Sequence, residues 1–232
     1  LLRSLVDGTR TVAFRISSYE PDRVDAEFLE AFAHPRVRPH LHLSVQSASD
    51  GVLARMGRAY GREGLERAVE GARRVKGDPF LAADLIVGFP GESEADFAQT
   101  RDFALRALFA WIHAFPFSPR PGTRAASMPS RVPERVAGER VSALAEIARR
   151  GKEGYVARWL GRELVAVLEA PPFATTENYL KVAVRSLPEG ARPGRAFRCR
   201  IVQDGTAPAV DGAAGSPEPK NEVDGFAEVS IW

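Results

Sequence analysis

The sequence predicts an α/β fold in two parts, a partial parallel (β/α) barrel supplying four strands and then a small β-barrel. Apolar stretches of strand length alternate with helical patterns through the first half of the chain, as in a parallel sheet. A segment rich in proline and arginine then leads into one long amphipathic pattern. Beyond that pattern only short β-rich runs occur. The expected divisions are residues 1–132 for the partial barrel, 133–160 for a connecting helix and 161–232 for the β-barrel.

Leu1, Leu2, Leu5 and Val6 recur at helical spacing, so the chain is read as starting within a helix. Residues 11–17 are β-branched and aromatic, which suits a first strand, and Pro21 or Asp22 opens a helix to about residue 33. Residues 41–46 alternate, with Leu41, Leu43 and Val45 on one face and His42, Ser44 and Gln46 on the other, so the second strand has a polar side. Helical patterns at 49–56 and 62–76 follow. Residues 81–88 are almost wholly apolar, as in a strand covered on both faces. Ser93 and Asp96 have the spacing of a capping box for a helix to about residue 107, and residues 111–117 supply the fourth strand. The long helix spans about 134–159. Strands are then expected at 163–168, 179–184, 197–202 and 226–231, with a mobile loop at 203–224 where glycine, alanine and proline displace large apolar residues.

The 232 residues are 44% hydrophobic, enough for a core, and the net charge of +2 gives no strong overall field toward nucleic acid. The lone cysteine, Cys199, excludes an internal disulfide and any Cys-x-x-Cys motif. With no long apolar run and no leader pattern, the expectation is a cytoplasmic protein with no membrane partner.

Ligands of parallel α/β folds bind at the carboxyl ends of the strands, where loops can vary without disturbing the core. Those ends read Ser17-Ser18-Tyr19-Glu20, Gln46-Ser47-Ala48-Ser49-Asp50, Gly88-Phe89-Pro90-Gly91-Glu92 and Ser118-Pro119-Arg120-Pro121-Gly122-Thr123. Taken singly, such residues turn the chain and cap helices; only their joint occurrence points to a site. His40 and His42, two apart on one strand, could share a metal ion, but no third ligand is evident nearby and no metal site is expected. Neither a P-loop nor a G-x-G-x-x-G pattern occurs. An aldolase-like barrel would need a lysine or general base at a strand end, and Lys76, Lys152, Lys181 and Lys220 lie elsewhere.

At these strand ends, in the four motifs Arg15-Ile16-Ser17-Ser18, His40 to Asp50, Asp84-Leu85-Ile86-Val87-Gly88-Phe89-Pro90-Gly91-Glu92 and Ser118 to Thr123, the sequence resembles the radical S-adenosylmethionine (SAM) methylthiotransferases. Residues 17–21, 113–123 and 176–179 look most like the bacterial branch acting on threonylcarbamoyladenosine in tRNA. Ser44 stands where the family has proline, and Ala48 where it has glycine. The resemblance implies the last four strands of a radical-SAM barrel followed by an RNA-binding TRAM-like β-barrel, with the insertion after Gln203 as a departure. It implies SAM as cofactor, with Ser17, Ser18, Gln46 and Ser47 bonding its ribose or methionine part, Arg58 pairing its carboxylate and Gly88 admitting its adenine. Arg120, Asn178, Lys181 and Arg198 are the implied RNA-binding residues, and the anticodon stem-loop of tRNA the implied partner. The family's [4Fe-4S] clusters are held by cysteines, three of them in a C-x-x-x-C-x-x-C pattern, and none of these is in the sequence. The chain is therefore expected to be inactive alone and to depend on a missing N-terminal, cluster-bearing half. A cluster-free RNA-binding protein is the alternative reading, as is a related methylthiotransferase acting on isopentenyladenosine or a ribosomal protein.

Overall fold

The computed structural model describes residues 1–204 and 223–231. The expected loop at 203–224 lies for the most part outside the described residues. Two compact units are present, Leu1–Lys152 and Glu153–Trp232. The division falls inside the long helix rather than at its ends, so the expected connector contributes to both units.

The first unit opens with α1 (Leu2–Asp7), followed by β1 (Phe14–Tyr19), a 3-10 turn at Pro21–Arg23, α2 (Ala26–Ala33) and β2 (Val37–Gln46). Next come α3 (Asp50–Met56), α4 (Arg62–Lys76), β3 (Phe80–Val87), α5 (Glu94–Ala107), β4 (Trp111–Pro116) and α6 (Glu134–Trp159). The strands form one parallel sheet in the order β1-β2-β3-β4. Leu41, Leu43, Val45, Leu85 and Val87 are wholly buried and form the core with Phe32, Leu53 and Leu65 from the helices. Local signals act where the sequence places them. Asp25 caps α2 through the Phe28 amide, Ser49 caps α3 through Val52, and Ser93 with Asp96 closes a capping box on α5.

The second unit is a closed barrel of β5 (Glu163–Leu168), β6 (Phe173–Thr176), β7 (Lys181–Val184), β8 (Ala196–Asp204) and β9 (Gly225–Ile231), in the order β5-β6-β7-β9-β8. Closure by β8 against β5 removes free strand edges. Four strands were expected here and five are found: β6, only four residues long, follows Pro171-Pro172 and pairs with both β5 and β7. Cys199 is fully buried in this barrel, and burial pushes its thiol up to about 11.

Candidate functional site: one rim of the sheet

Parallel pairing brings the carboxyl ends of β1, β2 and β3 side by side, and each carries a residue in the left-handed backbone region. These are Ser18 at φ 56°, Gln46 at φ 62° and Gly88 at φ 75°. Glycine adopts this conformation freely, whereas for other residues it costs on the order of 1–2 kcal/mol and persists where the surroundings enforce it. The ladder is irregular at two of the same places, between Ile16 and Tyr19 and between Leu43 and Gln46. The strand ends thus turn out of regular pairing together. Ser17 and Ser18 are exposed, while Gln46 is buried beside them.

The third end is a braced loop. Glu92 folds back so that its Oε2 accepts the Gly88 amide at 2.5 Å and the Phe89 amide at 3.1 Å. Arg140 of α6 reaches in, with Nη1 3.1 Å from Glu92 Oε1 and Nη2 3.2 Å from Glu94. Both members of the Arg140–Glu92 pair are buried. Burial pushes the Glu92 carboxyl up, opposed by the Arg140 guanidinium and the two amides. A Cβ on Gly88 would lie 2.8 Å from Ala137 Cβ, so the side on which a side chain would project is filled by α6.

Other expected residues are engaged differently. Ser47 is buried, with its hydroxyl 3.1 Å from that of Thr100 and accepting the Ser49 amide at 3.2 Å. Arg58 does not stand free for a ligand carboxylate: its Nη1 contacts both carboxylate oxygens of Glu20, at 2.9 and 3.0 Å. Nothing in the local sequence shows that pair, because its members are 38 positions apart. Next to it, Tyr60 donates to the Ser44 carbonyl at 2.5 Å, and burial pushes its phenol up.

On the polar face of the sheet, His40 and His42 do not meet, although their spacing allows it, and each has a different partner. His40 is buried, and its Nδ1 lies 2.9 Å from the Ile16 carbonyl of β1; desolvation lowers it to about 4. His42 instead leans toward β3, with Nε2 3.0 Å from Asp84 Oδ1, and stacks on His113 of β4 at 5.3 Å between ring centroids. Asp84 and His113 are the ligand-type residues that the sequence reading did not see nearby. Burial lowers the pKa of His113, with His42 acting in the same sense.

In the barrel unit, Lys181 and Arg198 are exposed, and Arg198 is 2.9 Å from Glu163. Asn178 is not on the surface. It is wholly buried in the turn between β6 and β7, where its Oδ1 accepts from the Thr176 hydroxyl at 2.6 Å. Arg120 is exposed in the loop after β4.

The rim of hydroxyls, carboxamide and turned-out backbone at Ser17, Ser18 and Gln46 suits a small polar ligand such as SAM. An iron-sulfur cluster does not fit: its ligands are thiolates, and the sequence holds one cysteine, buried and held in its thiol form. No helix among the described residues is long and apolar enough to cross a membrane.

The family model described as Radical SAM superfamily matches residues 2–104. The threonylcarbamoyladenosine tRNA methylthiotransferase MtaB of Treponema pallidum is 51% identical over 79% of this chain and 38% of its own length. MtaB of Thermotoga maritima is 43% identical over 67% of this chain and 36% of its own. The ribosomal protein uS12 methylthiotransferase RimO of Moorella thermoacetica is 40% identical over 96% of this chain and 46% of its own. The chain thus spans less than half the length of these relatives. On this similarity the chain belongs to the radical SAM methylthiotransferases as an MtaB-like member.

Proposed function

We propose that this chain is the part of a tRNA methylthiotransferase that positions SAM and the nucleoside, in an enzyme adding a methylthio group to C2 of N6-threonylcarbamoyladenosine beside the anticodon. The observation that carries the proposal is the rim of three adjacent strand ends turned outward at Ser18, Gln46 and Gly88. Ser17, Ser18 and Gln46 would bond the ligand's hydroxyls or amino acid end. Ser47 and Glu92 would act indirectly, the first by anchoring the loop after β2 on Thr100 and the second by fixing the Gly88 loop. Bound SAM would supply the radical chemistry; the electrons for it require thiolate-held iron from outside these residues. The chain alone is accordingly inactive, and it works in the cytoplasm, where its tRNA is found.

Disrupting the gene should remove the methylthio mass from the threonylcarbamoyladenosine of cellular tRNA, as read by nucleoside mass spectrometry. The intact gene should restore it and residues 1–232 alone should not. Unchanged nucleosides would refute the assignment, and a missing methylthio group on isopentenyladenosine or on a ribosomal protein would redirect it to the related enzymes. Restoration by the 232 residues alone would refute inactivity.

The five-stranded barrel is assigned as a TRAM-like module that grips RNA by phosphate contacts from Lys181, Arg198 and neighbouring basic residues. Asn178, buried as it is, would shape the β6–β7 turn rather than touch RNA. Binding of an anticodon stem-loop should weaken with salt, and Lys181→Ala should reduce the slope of log K against log salt by about one. Salt-insensitive binding would count against the module.

A further inference from the structure

We propose that His42, Asp84 and His113 form a binding site for one divalent transition-metal ion of the zinc class. The three side chains project from three neighbouring strands, β2, β3 and β4, on the polar face of the sheet. Asp84 and His113 are direct register partners, and His42 sits opposite Ala82, two residues before Asp84. One ligand atom from each lies within 4.8 Å of the others. Strands are rigid supports, so this convergence is built into the sheet rather than left to a loop.

The donor set selects the ion. Two imidazole nitrogens and one carboxylate oxygen are borderline ligands, suited to zinc, cobalt, nickel or ferrous iron and not to calcium or magnesium, which take oxygen. Bonds of about 2.0–2.2 Å require donor atoms somewhat closer than they stand here, so one ring must swing inward. His113 is the exposed member and the one to move, giving up the Trp111 indole N–H that lies 2.9 Å from its Nε2, while the His42 and Asp84 side chains are only 15% and 25% exposed. The contact between His42 Nε2 and Asp84 Oδ1, at 3.0 Å, is already short enough for two atoms of one coordination sphere. His40 is not part of the group, and its Nδ1 lies 2.9 Å from the Ile16 carbonyl. Three protein ligands leave at least one position open, the pattern of catalytic rather than structural zinc. The site uses no thiolate, which separates it from any iron-sulfur centre, and it does not depend on the methylthio reading.

The test is titration of the untagged chain with Co(II), followed by visible absorption. A saturable one-to-one d–d spectrum, displaced by Zn(II), is expected. His113→Ala and Asp84→Asn should each weaken binding by roughly tenfold or more, whereas His34→Ala, which removes a histidine remote from the site, should leave it unchanged. Circular dichroism reports folding; His113 is exposed and Asn is nearly isosteric with Asp, so one variant at least will keep the sheet. Failure to saturate below millimolar Co(II), a loss of less than tenfold in a folded site variant, or an equal loss in His34→Ala overturns the proposal.

Discussion

Replacing Arg140 by methionine should lower stability by about 3–5 kcal/mol, because removing one member of a buried ion pair strands the other. Arg140 is the only side-chain cation in contact with the buried Glu92 carboxylate among the ion pairs of the described residues, and it also lies 5.2 Å from the Phe97 ring. Methionine keeps much of the volume and the packing on Phe97 but none of the charge. For a chain of this size the loss corresponds to a fall in the melting temperature of very roughly 6–20 °C. The deficit should also depend on pH. Burial already raises the Glu92 carboxyl above its unfolded value, and without Arg140 it rises further. A carboxyl raised in the folded state binds its proton more tightly there, so the penalty is small below the unfolded value, about 4.3, and grows as pH rises through the folded one. Thermal melts of Arg140→Met should therefore lie closest to the parent near pH 4–5 and furthest from it at pH 8. Adding Glu92→Gln should recover much of the loss at pH 8. A deficit that is flat with pH would place the role of Arg140 in packing alone.

Gly151→Ala and Gly138→Ala should have opposite signs, although both sit in α6. In an exposed helix, alanine is favoured over glycine by about 1 kcal/mol. Gly138 has nothing near the position of an added Cβ, so that gain should appear. At Gly151 the added carbon would overlap the backbone carbonyl oxygen of Phe109, which cannot rotate away as a side chain can. Phe109 is itself buried, edge-on to Phe103 in the core, so either α6 or the segment before β4 must move. Overpacking of this kind costs about 1–3 kcal/mol, and more against rigid backbone. Urea unfolding of the two variants is the measurement, and a Gly151→Ala protein as stable as Gly138→Ala would contradict the close approach of α6.

What was legible in the sequence follows from how local each signal is. The core positions Leu41, Leu43 and Val45 and the capping residues Ser49 and Ser93 act within a few residues of themselves and were read correctly, whereas Ser44 and Gln46 are buried too, where the ladder shifts register. The first strand was expected at 11–17 and found at Phe14–Tyr19, because its start is fixed by pairing of Phe14 with Val37 and not by β-branching at Thr11 and Val12. Strand β6 was missed since four residues after a proline pair become a strand only when two neighbours close on them. The four strand ends were recognised through motifs. Asp84 was hidden in an apolar run, and its meeting with His42 and His113 depends on register between strands about 30 to 40 positions apart. Arg58, a basic residue assigned to a ligand carboxylate, has Glu20 as its counterion in the fold, a partner 38 positions away that no local pattern shows.

Ser18 and Gln46 hold backbone conformations that glycine would occupy at lower cost. On the proposed reading, the hydroxyl and carboxamide kept there serve a ligand, at a cost in stability that glycine would not carry. An effort to harden this protein by conventional turn optimisation would begin at those two positions, and it would remove the two side chains on which the proposed function relies.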